Sequence, residues 1–391
     1  MINGIYYNPT MIFFGKGMES RVGEEVAKYS KKVLLHFGSE SFKKYGLYDK
    51  VAASLKAARV SYVELGGVKP NPSVALVYKG IELCREENID FILAVGGGSV
   101  IDSAKAISVG VPWQGDFFDF FEGKFVPQRA LKVATILTVA GSGSESSGGA
   151  VITHEEKRLK MAYSNSIMAP VFSILNPEIT YTLPYYYTAC GIVDAISHIL
   201  EMYFTNTTYV DCTDMIGEGL IKTLMKYAVL VKQEPENYDI RAEIMWACKL
   251  ANDNTAGFGR KQDWSSHKIA HGVGAIYDVA HGVLLGVIFP AWMQYVYKTN
   301  IDRFAQFANR VFDIDTNLID AEKAIVLAID QFKHFLKTIE MPATLREMGI
   351  HDKTRYTEIA RNCVKYMQSG TIGNFVRLSP KDIVNILEIA Y

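Results

Sequence analysis

The sequence has little of what builds disulfide-bonded, nucleic-acid-binding or membrane proteins. Its five cysteines are scattered over 391 residues without a Cys-x-x-Cys pair, which argues against a disulfide framework or a thiolate metal cluster and is typical of a reducing compartment. The net charge of −1 offers no broad attraction to nucleic acid or anionic lipid. No uncharged apolar run reaches membrane-spanning length, and the N-terminus lacks the pattern of a signal peptide. We expect a cytoplasmic protein with no nucleic-acid or membrane partner.

The sequence also lacks the standard GxGxxG and GxxxxGK[ST] signatures of nucleotide-binding proteins. It does have a glycine cluster, Gly96-Gly-Gly-Ser99, which directly follows a short apolar run at 91–95 and precedes a helical pattern. Glycines let the backbone approach an anion closely, and a helix N-terminus offers free N–H groups. A phosphate site and a purely structural turn are equally compatible with this pattern.

A second turn of small residues follows the apolar run at 133–137. It extends from Thr138 to Glu145 and is rich in glycine and serine. A flexible surface loop would have this composition. A loop placed directly after a buried strand, however, is also where an α/β sheet binds a cofactor.

The periodicity of apolar residues divides the chain near residue 184. Before it, short apolar runs alternate with helical patterns, which predicts an α/β domain over 1–184. After it, helical periodicity continues, which predicts an all-helical domain over 185–391. The predicted strands lie in two parts around Asn8-Pro9 within 5–15 and at 33–37, 61–65, 91–95, 133–137, 150–153 and 160–163. The predicted helices lie at 18–29, 49–58, 74–88, 187–204, 212–231, 239–254, 265–277, 281–296, 301–312, 320–338 and 380–389.

The helical half contains four of the eight histidines within a short window. Asp194 and His198 are four residues apart, as are His267 and His271, so each pair lies on one face of a helix. His281 follows ten residues after His271. One carboxylate with three or four imidazoles suits Fe²⁺ or Zn²⁺, whereas the alternative is a set of buried structural histidines.

Several segments, in this order, make the chain resemble the iron-containing (group III) alcohol dehydrogenases, in particular the branch of butanol dehydrogenases and broad aldehyde reductases. The resemblance covers essentially the whole chain. It implies a Rossmann-like N-terminal domain that binds a dinucleotide and a helical domain that binds metal, in a dehydroquinate synthase-like architecture. The segments are Lys69-Pro-Asn-Pro72, Gly96-Gly-Gly-Ser-Val-Ile-Asp-Ser-Ala-Lys105, Ala140-Gly-Ser-Gly-Ser-Glu145, Val193-Asp-Ala-Ile-Ser-His198, His267-Lys-Ile-Ala-His271 and Asp278-Val-Ala-His-Gly282.

The resemblance also implies roles for single residues. His271 is expected to act in catalysis without binding the metal. The four expected metal ligands are Asp194, His198, His267 and His281. The residues expected to bind the cofactor are Gly38, Ser39, Ser41, Asn71, Gly97, Gly98, Ser99, Asp102, Thr138, Ser142, Lys160 and Leu183.

The identities of cofactor and metal stay open at this level. The turn after the first β-α strand, Gly38-Ser-Glu40-Ser41, borders the expected adenosine ribose, where a carboxylate would accept hydrogen bonds from ribose hydroxyls and repel a 2′-phosphate. Lys43 and Lys44 would offset that repulsion, and the branch often uses NADP. We therefore keep both NADP and NAD, with a slight preference for NADP. Fe²⁺ is expected from the family, and Zn²⁺ suits the same donors.

The resemblance implies a metal-dependent, NAD(P)-linked oxidoreductase for small primary alcohols and aldehydes such as butanol and butanal. A homodimer or a higher homo-oligomer is expected. The alternatives are a polyol oxidoreductase similar to glycerol dehydrogenase, a lyase similar to dehydroquinate synthase, and a binding protein without catalysis. Aromatic residues near the predicted site suit a small apolar alcohol better than an acidic substrate. They are Phe117, Phe118, Phe120, Phe121, Phe258 and Trp264.

Overall fold

The computed structural model describes residues 1–391, and the chain forms two compact units. The α/β unit comprises Tyr7–Pro184 and Pro235–Met245. The helical unit comprises Met1–Tyr6, Tyr185–Glu234 and Trp246–Tyr391. The division into domains after residue 184 stays a prediction.

The α/β unit is built on a sheet of six parallel strands in the order β1-β8-β5-β4-β2-β3, and β6 and β7 form a separate antiparallel pair. The strands of the large sheet are short and almost wholly buried at its centre, which explains their continuous apolar sequences. The eight strands are β1 (Met11–Phe14), β2 (Lys32–Phe37), β3 (Ser61–Leu65), β4 (Phe91–Gly96), β5 (Lys132–Leu137), β6 (Gly149–His154), β7 (Leu159–Ser164) and β8 (Phe172–Leu175).

The order of the strands reverses between β2 and β4. From β2 the chain moves outward to β3, then returns to β4 on the other side of β2 and continues to β5. In an open parallel sheet the crevice at such a reversal, at the carboxyl ends of the strands, is where ligands bind. The turns that begin at Gly38 and Gly97 follow β2 and β4 and therefore flank this point.

The helical unit consists mainly of long helices, and no helix is long and apolar enough to cross a membrane. The predicted fold class, an α/β part followed by a helical part, is confirmed. The helices of the whole chain are α1 (Val22–Ala27), α2 (Ser41–Lys44), α3 (Leu47–Ala57), α4 (Val74–Glu86), α5 (Gly98–Gly110), α6 (Phe118–Phe121), α7 (Tyr185–Tyr203), α8 (Asp211–Gln233), α9 (Tyr238–Ala251), α10 (Ser265–Tyr277), α11 (His281–Val296), α12 (Ile301–Phe312), α13 (Ala321–Thr338), α14 (Tyr356–Val364) and α15 (Pro380–Ala390).

The N-terminal segment differs from its prediction. Only the second of the two expected strands exists, as β1, and the residues before Asn8 form no strand. Near the start of the chain, the Ile2 N–H donates to the Gly259 carbonyl at 2.7 Å, which lies in a loop. The helix expected at 18–29 is shortened to α1, which follows a single 3₁₀ turn, Met18–Arg21.

A buried histidine joins β2 to its surroundings in the α/β unit. The Nδ1 atom of His36 lies 2.8 Å from the carbonyl oxygen of Leu65, and its Nε2 atom lies 2.9 Å from the Ser103 hydroxyl. A carbonyl can only accept, so Nδ1 donates and Nε2 accepts from the hydroxyl. Burial lowers the pKa of His36 from 6.5 to about 4, although the Leu65 carbonyl opposes the shift.

This pKa predicts a loss of stability in mild acid. The unfolded chain takes up a proton below pH 6.5 while the buried imidazole stays neutral to about pH 4, so the free energy of unfolding falls as the pH drops through that window. Between about pH 7 and about pH 5 the contribution of His36 should fall by about 2 kcal/mol. Urea unfolding of the wild type and a His36→Asn variant tests this, because the difference between them should shrink by that amount. If the free energies of unfolding of the two proteins changed equally with pH, the prediction for His36 would be wrong.

Candidate metal centre and cofactor-binding loops

Helix α7 carries the first part of the candidate metal centre. It is apolar and buried around most of its circumference, as expected of a helix in the middle of a helical core. Within it, Asp194 and His198 are 8% and 6% exposed. Their spacing of one turn puts both side chains on one face, with His198 Nε2 3.8 Å from Asp194 Oδ1.

Helices α10 and α11 bring two further imidazoles to the same carboxylate oxygen. The Nε2 atom of His267 lies 3.9 Å from Asp194 Oδ1, and that of His281 lies 3.8 Å away. One donor atom from each of these three residues lies within 4.8 Å of the others, so the group could hold a metal ion. With His198, all four residues predicted as ligands meet within the helical unit.

These distances fit a coordination shell better than a set of hydrogen bonds. Separations of 3.8–3.9 Å are too long for direct N–H···O bonds. Two donors each about 2.1 Å from one ion lie about 3–4 Å apart. Imidazole nitrogen and carboxylate oxygen are ligands of both Fe²⁺ and Zn²⁺. The donor set therefore fits a divalent metal, and the assignment of each residue as a ligand stays a prediction.

Burial keeps the imidazole of His198 in the form that a metal requires. It lowers the pKa of His198 to about 4, although the neighbouring Asp194 carboxylate opposes the shift. A neutral ring has a free lone pair for a metal, which a protonated ring lacks.

His271 lies beside this group. Its ring centroid is 4.9 Å from that of His281 and 6.4 Å from that of His267. The side chain is 9% exposed. This position is compatible with the predicted catalytic role, which stays a prediction.

Sequence reasoning missed one neighbour of the centre. Glu201, buried in α7, holds Nδ1 of His267 at 2.9 Å from its Oε1 atom. Its position seven residues after Asp194, on the same helical face, is the signal that would have found it. Trp264 was predicted to lie near the site and does so, since its ring lies 5.1 Å from that of His267 and 5.9 Å from that of His198.

In the α/β unit, the glycine turn after β4 leads directly into helix α5, and its role in cofactor binding stays a prediction. Gly97 is the N-cap of α5, and the helix begins at Gly98. A side chain at Gly98 would collide with Ser142 Oγ, 2.3 Å from the position of its Cβ atom. The first and second small-residue turns are therefore in contact, and only glycine leaves room for that approach. Thr138 also joins them, since its N–H donates to the Gly96 carbonyl at 3.1 Å.

Asp102, predicted to bind cofactor, is engaged inside the protein. Its carboxylate accepts from Ser144 Oγ at 2.6 Å and from the Val151 N–H at 2.9 Å. Lys105, on the next turn of α5, donates to Ser144 Oγ at 2.8 Å and to the Gly149 carbonyl at 2.8 Å. These hydrogen bonds join α5 to the turn from Thr138 to Glu145 and stabilise the conformation of that turn.

Two other predicted cofactor residues meet directly. Lys160 Nζ donates to Asn71 Oδ1 at 2.7 Å. Elsewhere in this unit, the Leu183 N–H donates to the Thr180 carbonyl at 3.1 Å. Whether these residues contact a nucleotide stays a prediction.

The turn after β2 is more exposed. The Gly38 carbonyl accepts from the Gly67 N–H at 2.8 Å, and the hydroxyls of Ser39 and Ser41 lie 2.9 Å apart. Glu40 is exposed and occupies the N-cap position of the short helix α2, where its side chain makes no capping hydrogen bond.

The expectation of an apolar substrate pocket is wrong for the four phenylalanines of 117–121. Their side chains are at most 4% exposed, because they pack on one another and on His154, whose ring is 5.0 Å from that of Phe118. They belong to the core of the α/β unit. The rings of Phe258 and Tyr6 pack on each other with centroids 6.0 Å apart, and Trp264 lies beside the candidate centre, 5.1 Å from the His267 ring.

Comparison with known proteins gives a consistent result along the whole chain. Residues 9–177 match the family described as iron-containing alcohol dehydrogenase, and residues 188–391 match the C-terminal region of the Fe-containing alcohol dehydrogenase family. The chain is 40% identical over 387 residues to the probable NADH-dependent butanol dehydrogenase 2 of Bacillus subtilis, with 99% of each chain covered. It is 35% identical over 354 residues to the NADPH-dependent aldehyde reductase YqhD of Escherichia coli, with 90% of each covered.

The fold agrees with that of a solved relative. The structure of an NADH-dependent butanol dehydrogenase A from Thermotoga maritima superposes with a TM-score of 0.96 at 38% identity, covering 100% of this chain and 99% of that one. The resemblance inferred from the sequence is confirmed by these matches.

Proposed function

Because the chain belongs to the iron-containing alcohol dehydrogenase family, we propose that it transfers hydride between NADH and small aldehydes such as butanal, and in reverse from the corresponding primary alcohols. The observation that carries this proposal is the convergence of the His198, His267 and His281 Nε2 atoms on one oxygen of Asp194. That donor set suits a divalent ion, and butanol dehydrogenases are among the similar proteins.

The proposed reaction assigns different tasks to the two units. In the helical unit, Asp194, His198, His267 and His281 hold the metal, Fe²⁺ or Zn²⁺. When bound, such an ion supplies Lewis-acid polarisation of a carbonyl and lowers the pKa of an alcohol. In the α/β unit, the N–H groups at the start of α5 would hold the pyrophosphate. The close approach of Gly98 to Ser142 fixes the shape of the two turns there.

His271 is the proposed relay for the alcohol proton. Imidazole is the side chain that most often takes up and releases protons in general acid–base catalysis. Trp264 supplies an apolar surface beside His267 and His198. An apolar surface favours a short aliphatic chain over an acidic substrate, which supports butanal over the substrates of a lyase.

The choice of NADH departs from the slight preference for NADP that the sequence alone gave. That preference depended on Lys43 and Lys44 as counter-charges to Glu40 and on the frequent use of NADP in the branch. Lys43 Nζ lies 3.1 Å from Glu64 Oε2, so its charge already faces a second carboxylate, and Lys44 lies over the Tyr45 ring at 5.4 Å. This arrangement favours a free ribose 2′-hydroxyl over a 2′-phosphate.

A substitution at Glu40 is expected to change cofactor preference. The wild type should use NADH with a kcat/KM at least about tenfold above that with NADPH, a difference of about 1.4 kcal/mol. Glu40→Ser should reduce that ratio at least about tenfold by removing the repulsion, and less so at high salt. The control is Glu86→Ser, an exposed carboxylate at the end of α4, which should leave the ratio unchanged. A wild-type preference for NADPH would contradict the proposal.

The test of the proposed function is a spectrophotometric assay of anaerobically reconstituted protein. Protein loaded with Fe²⁺ or Zn²⁺ is given butanal with NADH and, in parallel, NADPH. Metal-dependent oxidation of the reduced cofactor supports hydride transfer. Faster turnover of glycerol with NAD⁺ than of butanol would favour the polyol alternative. No turnover of butanal, shorter aldehydes or glycerol by metal-loaded protein would refute the proposal and favour a lyase. The predicted homodimer or higher oligomer stays a prediction, to be measured by light scattering.

A further inference from the structure

We propose that Glu201 is a positioning residue that fixes the tautomer and the orientation of His267 at the metal centre. The inference rests on the proposed metal-binding role of that centre. It concerns a residue outside the predicted ligands, and it describes how the helical unit prepares one imidazole to bind an ion.

One oxygen of Glu201 holds both the backbone and the ring of His267. The Oε1 atom accepts from the backbone N–H of His267 at 2.8 Å and lies 2.9 Å from its Nδ1 atom. The backbone bond lies in the first turn of α10, where N–H groups lack partners within the helix. The carboxylate thereby fixes the start of α10 and the direction of its histidine together.

The contact with Nδ1 determines which ring nitrogen is available to a metal. A carboxylate oxygen accepts a hydrogen bond, so the proton of the neutral imidazole sits on Nδ1. The lone pair is then on Nε2, the atom that lies 3.9 Å from Asp194 Oδ1 among the converging donors. A carboxylate behind a ligating histidine also raises the basicity of the ring.

Glu201 is itself held in place. Its side chain is 1% exposed, and its backbone carbonyl accepts from the Asp263 N–H at 2.9 Å. Two residues further along α7, the Tyr203 carbonyl accepts a hydrogen bond from Arg303 Nε at 2.8 Å. The end of α7 is therefore tied to two other segments of the helical unit, and the carboxylate has little freedom to move away from His267.

The orientation of the His267 ring also affects His198, a second predicted ligand. The rings of His198 and His267 are stacked, with centroids 4.7 Å apart and planes at 22°, while Trp264 meets His267 at 68°. A rotation of the His267 ring would disturb the stack. Glu201 thus positions His267 directly and His198 through it.

The experiment compares Glu201→Met, which removes the acceptor, with Glu201→Gln, which keeps an oxygen that can accept from Nδ1. The matched control is Glu218→Met, because Glu218 is also buried and accepts from the Tyr203 hydroxyl at 2.8 Å in the same unit. Zn²⁺ affinity is measured by chelator competition on the full-length proteins. The tautomer of His267 is measured by ¹H–¹⁵N correlation of the imidazole nitrogens in metal-free protein.

We expect Glu201→Met to weaken Zn²⁺ binding roughly 10–100-fold and to abolish the single Nδ1–H tautomer of His267. Glu201→Gln should retain the tautomer and lose less than about tenfold in affinity, and Glu218→Met should bind Zn²⁺ as the wild type does. Unchanged affinity or an unchanged tautomer in Glu201→Met, or an equal loss in Glu218→Met, would overturn the proposal. If Glu201→Met fails to fold, the wild type decides: a proton on Nδ1 of His267 in the metal-free protein supports the proposal, and a proton on Nε2 overturns it. Neither readout needs turnover, so inactivity toward aldehydes would refute the proposed function and leave this result standing.

Discussion

Asp194→Asn is expected to lower kcat/KM with butanal by at least about a thousandfold and to remove most of the bound metal. Asp194 supplies the negative charge in a donor set whose other members are neutral imidazoles, and three Nε2 atoms lie 3.8–3.9 Å from its Oδ1 atom. Lewis-acid stabilisation contributes several kcal/mol to a transition state, and each 1.36 kcal/mol is tenfold in rate. Metal content by plasma emission and steady-state kinetics measure the two effects.

The matched control for this prediction is Asp313→Asn. The Asp313 side chain is 80% exposed and forms a surface ion pair with Lys222, which contributes little to stability. This variant should keep wild-type metal content and turnover. If Asp194→Asn retained metal and stayed within about tenfold of wild-type activity, the carboxylate would not be a ligand.

His271→Ala is expected to slow turnover roughly 10²–10⁴-fold, the usual contribution of a general acid or base, without loss of metal. The ring is 9% exposed and lies next to the His281 ring, and we propose it as the proton relay beside the four ligands, not as a fifth ligand. The expected signature is therefore a low kcat in a protein whose metal content equals that of the wild type, with an altered pH dependence of kcat.

The control for His271 is His351→Ala, which removes an exposed imidazole and should change nothing. Loss of metal in His271→Ala would make His271 a ligand. Full activity with full metal content would remove it from the reaction and leave solvent as the route for the proton.

Much of the fold could be predicted from the sequence because buried strands and helices have characteristic patterns of apolar residues. The apolar run at 33–37 predicted the buried strand β2, and the helical periodicity after residue 184 predicted the long helices. β8 was missed because Ser173 interrupts a run of only four residues. The serine is buried because its hydroxyl donates to the Glu145 carbonyl at 2.6 Å and accepts from Thr135 at 2.7 Å, partners that are distant in sequence.

The candidate site was predictable to the extent that its residues obey helical spacing. Asp194 with His198, and His267 with His271, stand one turn apart, so their alignment was visible. That His267 and His281 would meet Asp194 depended on tertiary packing, which spacing does not encode. The role of Glu201 depends on a hydrogen bond between α7 and α10. The burial of Phe118 among other aromatic rings likewise depended on packing.

We propose that hydride transfer between cofactor and substrate requires one metal ion per chain. The most direct test titrates chelator-treated, metal-free protein with Fe²⁺ under anaerobic conditions and follows NADH oxidation by butanal at each addition. We expect no turnover without metal, a linear rise in the rate with added Fe²⁺, and a break at one Fe²⁺ per chain. Full turnover by metal-free protein, or a rate that stays at zero after one equivalent is bound, would contradict it.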